Sequence, residues 1–94
     1  MDQITVQIHI TGKVQGVWFR ASAKDVALSL GLKGKVWNNP DDSVGAIAQG
    51  DDEKVKAFIE WCKEGPKLAN IKNVRVEAVN EHLEYHSFEI TRHV

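Results

Sequence analysis

Apolar and polar residues alternate at the start of the chain. Ile4, Val6, Ile8 and Ile10 are set against Thr5, Gln7, His9 and Thr11. A period of two predicts a strand with one buried face. The period then changes. Phe19, Ala23, Val26, Ala27 and Leu30 recur at helical spacing as one apolar stripe, and Gly31 is placed to stop the helix. Lys33 to Asn38 reads as a second strand and Ser43 to Gln49 as a third. Between them Asn39-Pro40-Asp41-Asp42 is a turn by composition, so the pair is a hairpin. Asp51, Asp52 and Glu53 bring negative charge to the start of a second helix, where the helix dipole favours it. Its stripe is Val55, Phe58, Ile59 and Cys62, and Gly65-Pro66 ends it. Lys67 to Asn70 connects to a fourth strand, Ile71 to Val79, with Val74, Val76 and Ala78 opposite Arg75 and Glu77. Asn80 to Leu83 is a turn region. Tyr85 to Thr91 is a fifth strand centred on Phe88 and Ile90, and Arg92-His93-Val94 is a short tail.

The order β-α-β-β-α-β with a late added strand predicts an α+β fold. The arrangement is a ferredoxin-like split β-α-β sandwich, two helices packed on one face of a mostly antiparallel sheet of four to five strands. That fold hosts many functions, so the function must be argued from a site.

The composition narrows the classes. Ninety-four residues make a single domain, 1–94, with 43% hydrophobic and 27% charged residues. A net charge of −1 speaks against a general nucleic-acid binder, which shows a basic excess. Cys62 is the only cysteine, which excludes an intrachain disulfide and a cysteine zinc cluster, and its place in an apolar stripe predicts a buried, inert thiol. His9, His82, His86 and His93 are scattered, and none of them pairs at the spacing of a helical metal site. No basic segment precedes an apolar one at the N-terminus, and no apolar run approaches the ~20 residues of a membrane span. The expectation is a cytoplasmic protein with no membrane partner, and nothing in the pattern demands more than a monomer.

One stretch carries candidate chemistry. Gly12-Lys13-Val14-Gln15-Gly16-Val17-Trp18-Phe19-Arg20 leads from the first strand into the first helix. Such a loop can turn backbone N–H groups inward at a helix N-terminus, and arginine adds a planar fork of donors suited to phosphate or carboxylate oxygens. By spacing alone it reads first as a tight strand-to-helix turn with a surface arginine. It is not a Walker A loop, because Val17-Trp18 follows Gly16, and its glycine spacing is not that of a dinucleotide fingerprint. Asn38, followed by Asn39-Pro40, reads by itself as a polar strand-end residue bonding its own turn.

Gly12-x-Val14-Gln15-Gly16-Val17-x-Phe19-Arg20 resembles the first motif of the acylphosphatase family. Gly34, Val36, Asn38, Val44 and Gly50 fall at the positions of its second motif, and Leu83-Glu84-Tyr85 to Phe88 resembles its last strand. The resemblance spans nearly the whole chain. It implies hydrolysis of a small-molecule acyl phosphate to a carboxylate and inorganic phosphate, without cofactor or metal. It implies that Gln15, Gly16, Val17, Trp18 and Phe19 form the phosphate-binding loop. Arg20 then clamps the phosphate and Asn38 orients the attacking water.

Two departures stand out. Lys35 occupies a position usually aromatic and Trp37 one often basic, so the pair is swapped and an aromatic stands next to Asn38, where it is expected to alter the packing of the acyl group. Asp42 stands where glycine is common, and a strained or reshaped turn is expected there. The alternative function is a non-catalytic anion-binding or regulatory module on the same fold. An RNA-binding version needs aromatics on its central strands, and Ile4 to Thr11 and Ser43 to Gln49 contain none. A metal carrier would need a Cys-x-x-Cys motif, which is absent.

Overall fold

The computed structural model describes residues 3–81 and 83–92. His82, His93 and Val94, expected in a turn and in the tail, lie outside them. Five strands and two helices follow one another as β1 (Gln3–Lys13), α1 (Phe19–Ser29), β2 (Lys33–Asn38), β3 (Val44–Asp51), α2 (Asp52–Glu64), β4 (Asn70–Ala78) and β5 (Phe88–Ile90). The sheet order is β4-β1-β3-β2-β5. β1 pairs antiparallel with β3 and β4, and β2 pairs antiparallel with β3. β5 adds to β2 in parallel, with Val36 opposite Ile90. This is the expected ferredoxin-like α+β sandwich, with a mixed sheet.

Alternation decides which side chains meet the helices. Val6, Ile8 and Ile10 of β1, Val36 of β2 and Val44, Ala46 and Ala48 of β3 are all buried in one cluster. Phe19, Ala23 and Ala27 from α1 and Val55, Phe58 and Cys62 from α2 close over them. The half-buried ring of Trp61 bridges the helices, 5.2 Å from Phe19 and 6.1 Å from Phe58, and Phe58 meets Phe88 edge-on at 5.6 Å. Offset and edge-on contacts of this kind add to the burial of the rings. No helix among the described residues is long and apolar enough to cross a membrane.

Strand boundaries differ from those expected: β1 extends to Gln3–Lys13 and β3 runs on to Asp51. β3 begins at Val44, because the amide and the hydroxyl of Ser43 both donate to the Asp41 carboxylate within the turn. β4 is shifted one residue earlier, to Asn70–Ala78. β5 is only Phe88–Ile90, although the alternation ran from Tyr85 to Thr91. The preceding segment crosses the other side of the sheet instead, where the Leu83 carbonyl accepts a hydrogen bond from the Gln49 amide at 2.7 Å. The chain reaches the edge of β2 only at Ser87, whose carbonyl accepts from Gly34 N–H at 3.0 Å.

Candidate active site

The loop between β1 and α1 starts at a bulge. The register between β1 and β4 slips between Thr11 and Gly12. Gly12 has φ 121°, and a Cβ there would stand 2.2 Å from the Asn70 carbonyl oxygen, so only glycine lets the strands approach. Farther along, Gly16 has φ 71° and Trp18 φ 67°, while Gln15 and Val17 keep negative φ. Alternating signs of φ turn successive N–H groups toward one side, the geometry of an anion-binding nest. Among the described residues the N–H groups of Gly16, Val17 and Trp18 donate to no backbone carbonyl.

The two helix starts differ in the same sense. At α2 the Asp51 carboxylate accepts from Glu53 N–H at 3.1 Å, and Asp52 and Glu53 stand in the first turn. At α1 the cap position is Trp18, with no side-chain bond and no acid in the first turn. The positive end of α1 therefore carries no carboxylate of its own, and its second residue is Arg20.

Arg20 is half-buried and lines a pocket of about 380 Å³ with Gly16, Trp18 and Ala21. Val14 and Phe19, both buried, also line it, and Ile90 of β5 contributes from the far end of the chain. Asn38 does not line this pocket. It ends β2 on the face it shares with Gly34 and Val36, and Val36 is the register partner of Ile90. Its Oδ1 is buried and has no hydrogen-bond partner among the described residues. An unpaired buried carbonyl oxygen is costly, which sets this one apart from the satisfied groups of the turn that follows.

The side chain of Gln15 ties loop and hairpin together. Its Nε2 donates to the carbonyls of Asn39 and Ser43, both at 2.9 Å. The turn that follows Asn38 is dense with further bonds. Trp37 Nε1–H donates to Asn39 Oδ1 at 2.8 Å, which fixes the orientation of that amide. Asn39 Nδ2 then donates to Ser43 Oγ at 3.0 Å, and Ser43 Oγ donates in turn to Asp41 Oδ1. Asp41 also accepts from Ser43 N–H at 3.0 Å. The Ser43 hydroxyl, followed by its amide, holds the Asp41 carboxyl below its usual pKa.

With its one proton given to Asp41, Ser43 Oγ can only accept from His9 Nε2 at 2.8 Å. In that bond His9 Nε2 is the donor, and its Nδ1 faces Arg75 Nη2 at 3.4 Å. The trio of Ser43, His9 and Asp41 has the residue types of a hydrolase triad but not its wiring. Ser43 is 2% exposed, and its hydroxyl proton points to the acid rather than the histidine. The group is a brace for the turn.

Of the residues singled out in the sequence, Gly16, Trp18, Phe19 and Arg20 meet at one pocket. Gln15 turns its side chain to the hairpin and Val17 buries its own in the core. Trp37 is on the opposite face of the sheet from Asn38. It lies flat over Gly45, where a Cβ would meet the ring at 2.5 Å, and Lys35 Nζ sits 5.6 Å from its ring centre. The swapped pair thus does not border the pocket, and the expected effect of Trp37 on the acyl group is corrected. Asp42 does adopt the left-handed conformation expected, at φ 73°. Cys62 is buried, and burial pushes its thiol up to about 12. Sequence reasoning missed Ile90 as a pocket residue and Ser43 as the centre of the brace. Only the pairing of β5 with β2 and of β1 with β3 places them.

Two helices on a five-stranded mixed sheet define a ferredoxin-like α+β domain, here with an arginine at an open helix start. The sequence profile of the acylphosphatase family matches residues 6–90, and the chain belongs to that family. An acylphosphatase of Thiobacillus denitrificans is 47% identical over 85 residues, covering 90% of this chain and 93% of its own. The structure of an acylphosphatase from Coxiella burnetii superposes with a TM-score of 0.91 at 32% identity, covering 96% of this chain and 94% of that one. A crystal structure of full-length HypF in a phosphate- and nucleotide-bound form matches with a TM-score of 0.88 at 36% identity, over 96% of this chain and 12% of that one.

Proposed function

We propose that this chain hydrolyses the carboxyl–phosphate bond of small acyl phosphates through Arg20, Asn38 and the loop from Gln15 to Phe19. One observation carries the assignment. The free N–H groups of an alternating loop, an arginine at an uncapped helix start and an orphaned buried asparagine oxygen are gathered at one end of the sheet. Membership of the acylphosphatase family and likeness to relatives named for this activity support it.

In this reading the loop N–H groups and the Arg20 guanidinium hold the phosphoryl oxygens as charge shifts among them. Asn38 Oδ1 accepts a hydrogen bond from a water and aims its oxygen at phosphorus. An amide is no base near neutral pH, so its contribution is position. The water oxygen bonds to phosphorus, the bond from phosphorus to the acyl oxygen breaks, and the carboxylate leaves with the electron pair. The water's protons go to phosphate and solvent. A carboxylate is a good leaving group, so the reaction requires neither a strong general acid nor a metal, and activity is expected to survive a chelator.

The test is turnover of acetyl phosphate by wild type, Arg20→Ala and Asn38→Ala. Losing one key charge-stabilising donor costs about 2.7–4 kcal/mol, so Arg20→Ala is expected to lose about 10²–10³ in rate. Asn38→Ala is expected to lose kcat while inorganic phosphate still competes at a similar concentration. Activity retained in Arg20→Ala sinks the assignment. A large loss of phosphate competition in Asn38→Ala would make that residue an anion ligand instead.

A further inference from the structure

We infer that Trp18 and Ile90 form an apolar wall beside the phosphate cradle that selects aromatic acyl phosphates over acetyl-sized ones. The inference rests on the proposed hydrolysis of acyl phosphates at this pocket and names the substrate class.

Trp18 is 73% exposed, the most exposed large apolar side chain among the described residues. The other two tryptophans are engaged: Trp61 packs on Phe19 and Phe58, and Trp37 donates to Asn39. No described aromatic ring packs against Trp18. Its backbone is left-handed, at φ 67° and ψ 18°, a conformation that glycine or asparagine would adopt with less strain. The fold thus gains neither burial nor backbone ease from a tryptophan here, whereas a ligand gains a flat apolar surface.

The placement of that surface gives the ligand its shape. Trp18 shares its pocket with Arg20 and Gly16, the cradle, and with Ile90, itself 42% exposed at the sheet edge. The pocket volume of about 380 Å³ falls within the ~300–1,000 Å³ of small-molecule sites, well beyond what a phosphate group's five heavy atoms fill. A ligand anionic at one end and flat and apolar at the other satisfies both halves. An acyl phosphate with an aromatic acyl group has that form, and stacking on indole is the favourable contact for such a ring.

The experiment compares kcat/KM for benzoyl and acetyl phosphate in wild type, Trp18→Asn and Ile90→Ala. Asparagine tolerates the left-handed backbone while removing the ring. The quantity read is the ratio of the two substrates, so a change in absolute rate does not confuse it. Wild type is expected to favour benzoyl phosphate, Trp18→Asn to lower the ratio about tenfold, and Ile90→Ala to lower it about threefold. Calorimetry adds a binding arm that needs no turnover, using phenacylphosphonate and acetonylphosphonate as probes. Wild type is expected to hold the phenyl probe more tightly, and Trp18→Asn to lose that difference. Ratios unchanged in both variants, or a phenyl preference that survives Trp18→Asn, overturn the inference. Absence of turnover with ring-dependent binding overturns the hydrolysis reading and leaves the wall standing.

Discussion

The loop at residues 14–18 and the hairpin turn at 39–43 flank one site and are built on opposite principles. In the turn almost every polar group has a partner. Trp37, Asn39, Ser43, Asp41 and His9 form a connected chain of donors and acceptors, and Asn39 N–H closes back on the Ser43 carbonyl at 2.9 Å. In the loop the backbone donors are left open, two residues hold positive φ, and the helix start has no cap. Donors already satisfied cannot serve a ligand, so the cradle is the segment that forgoes internal bonds. In the proposed reaction Asn38 aims one water and has to be immobile, and it stands at the foot of the braced segment. Among the described residues, Gln15 is the side chain that hydrogen-bonds loop to turn.

Removing the hub breaks the contrast most severely. Ser43→Ala leaves Asn39 Nδ2 and His9 Nε2 without their shared acceptor in a buried position, and is expected to cost about 1–3 kcal/mol in urea unfolding. The turn then becomes as loose as the loop, and kcat is expected to fall more than affinity for phosphate. A variant with unchanged kcat would show that the brace serves the fold alone. Gln15→Met keeps the length of the side chain and removes both of its bonds to the turn. About 1–2 kcal/mol of stability is expected to go, and kcat and phosphate competition are expected to worsen together, because cradle and asparagine drift apart. Stability unchanged from wild type would mean that the two segments are held independently. The smallest effect is expected at Asp42→Gly. Glycine accepts φ 73° without strain, so a gain of about 0.5–1 kcal/mol in thermal unfolding is expected, with turnover unchanged. A loss would mean that the Asp42 carboxylate holds the turn.

The legible parts of the sequence were those governed by local periodicity. The alternation from Ile4 to Thr11 fixed the buried face of β1, and the two stripes named the helix residues that enter the core. The motif from Gly12 to Arg20 located the pocket. What escaped depends on residues distant in sequence. His9, Ser43 and Arg75 come together only through the register of β1 with β3 and β4. Trp37 and Lys35, two residues apart, share a face of β2, but which face meets the helices is decided by the whole sheet. The fifth strand shortened because the chain reaches the edge of β2 only at Ser87 and pairs there with Gly34 to Val36 alone. Apolar alternation at Phe88 and Ile90 signalled burial for both, and the edge position left Ile90 open to the pocket.

The parallel seat of β5 on β2 sets an order in time. The loop and α1 are synthesised early, but the pocket lacks a wall until Ile90 leaves the ribosome and docks beside Val36. A nascent chain arrested within β4 would carry both Arg20 and Asn38, with the Ile90 side of the Arg20 pocket missing. The Arg20 pocket is therefore complete only once β5 has been made, which ties the maturation of the proposed site to the last strand rather than to Arg20 or Asn38.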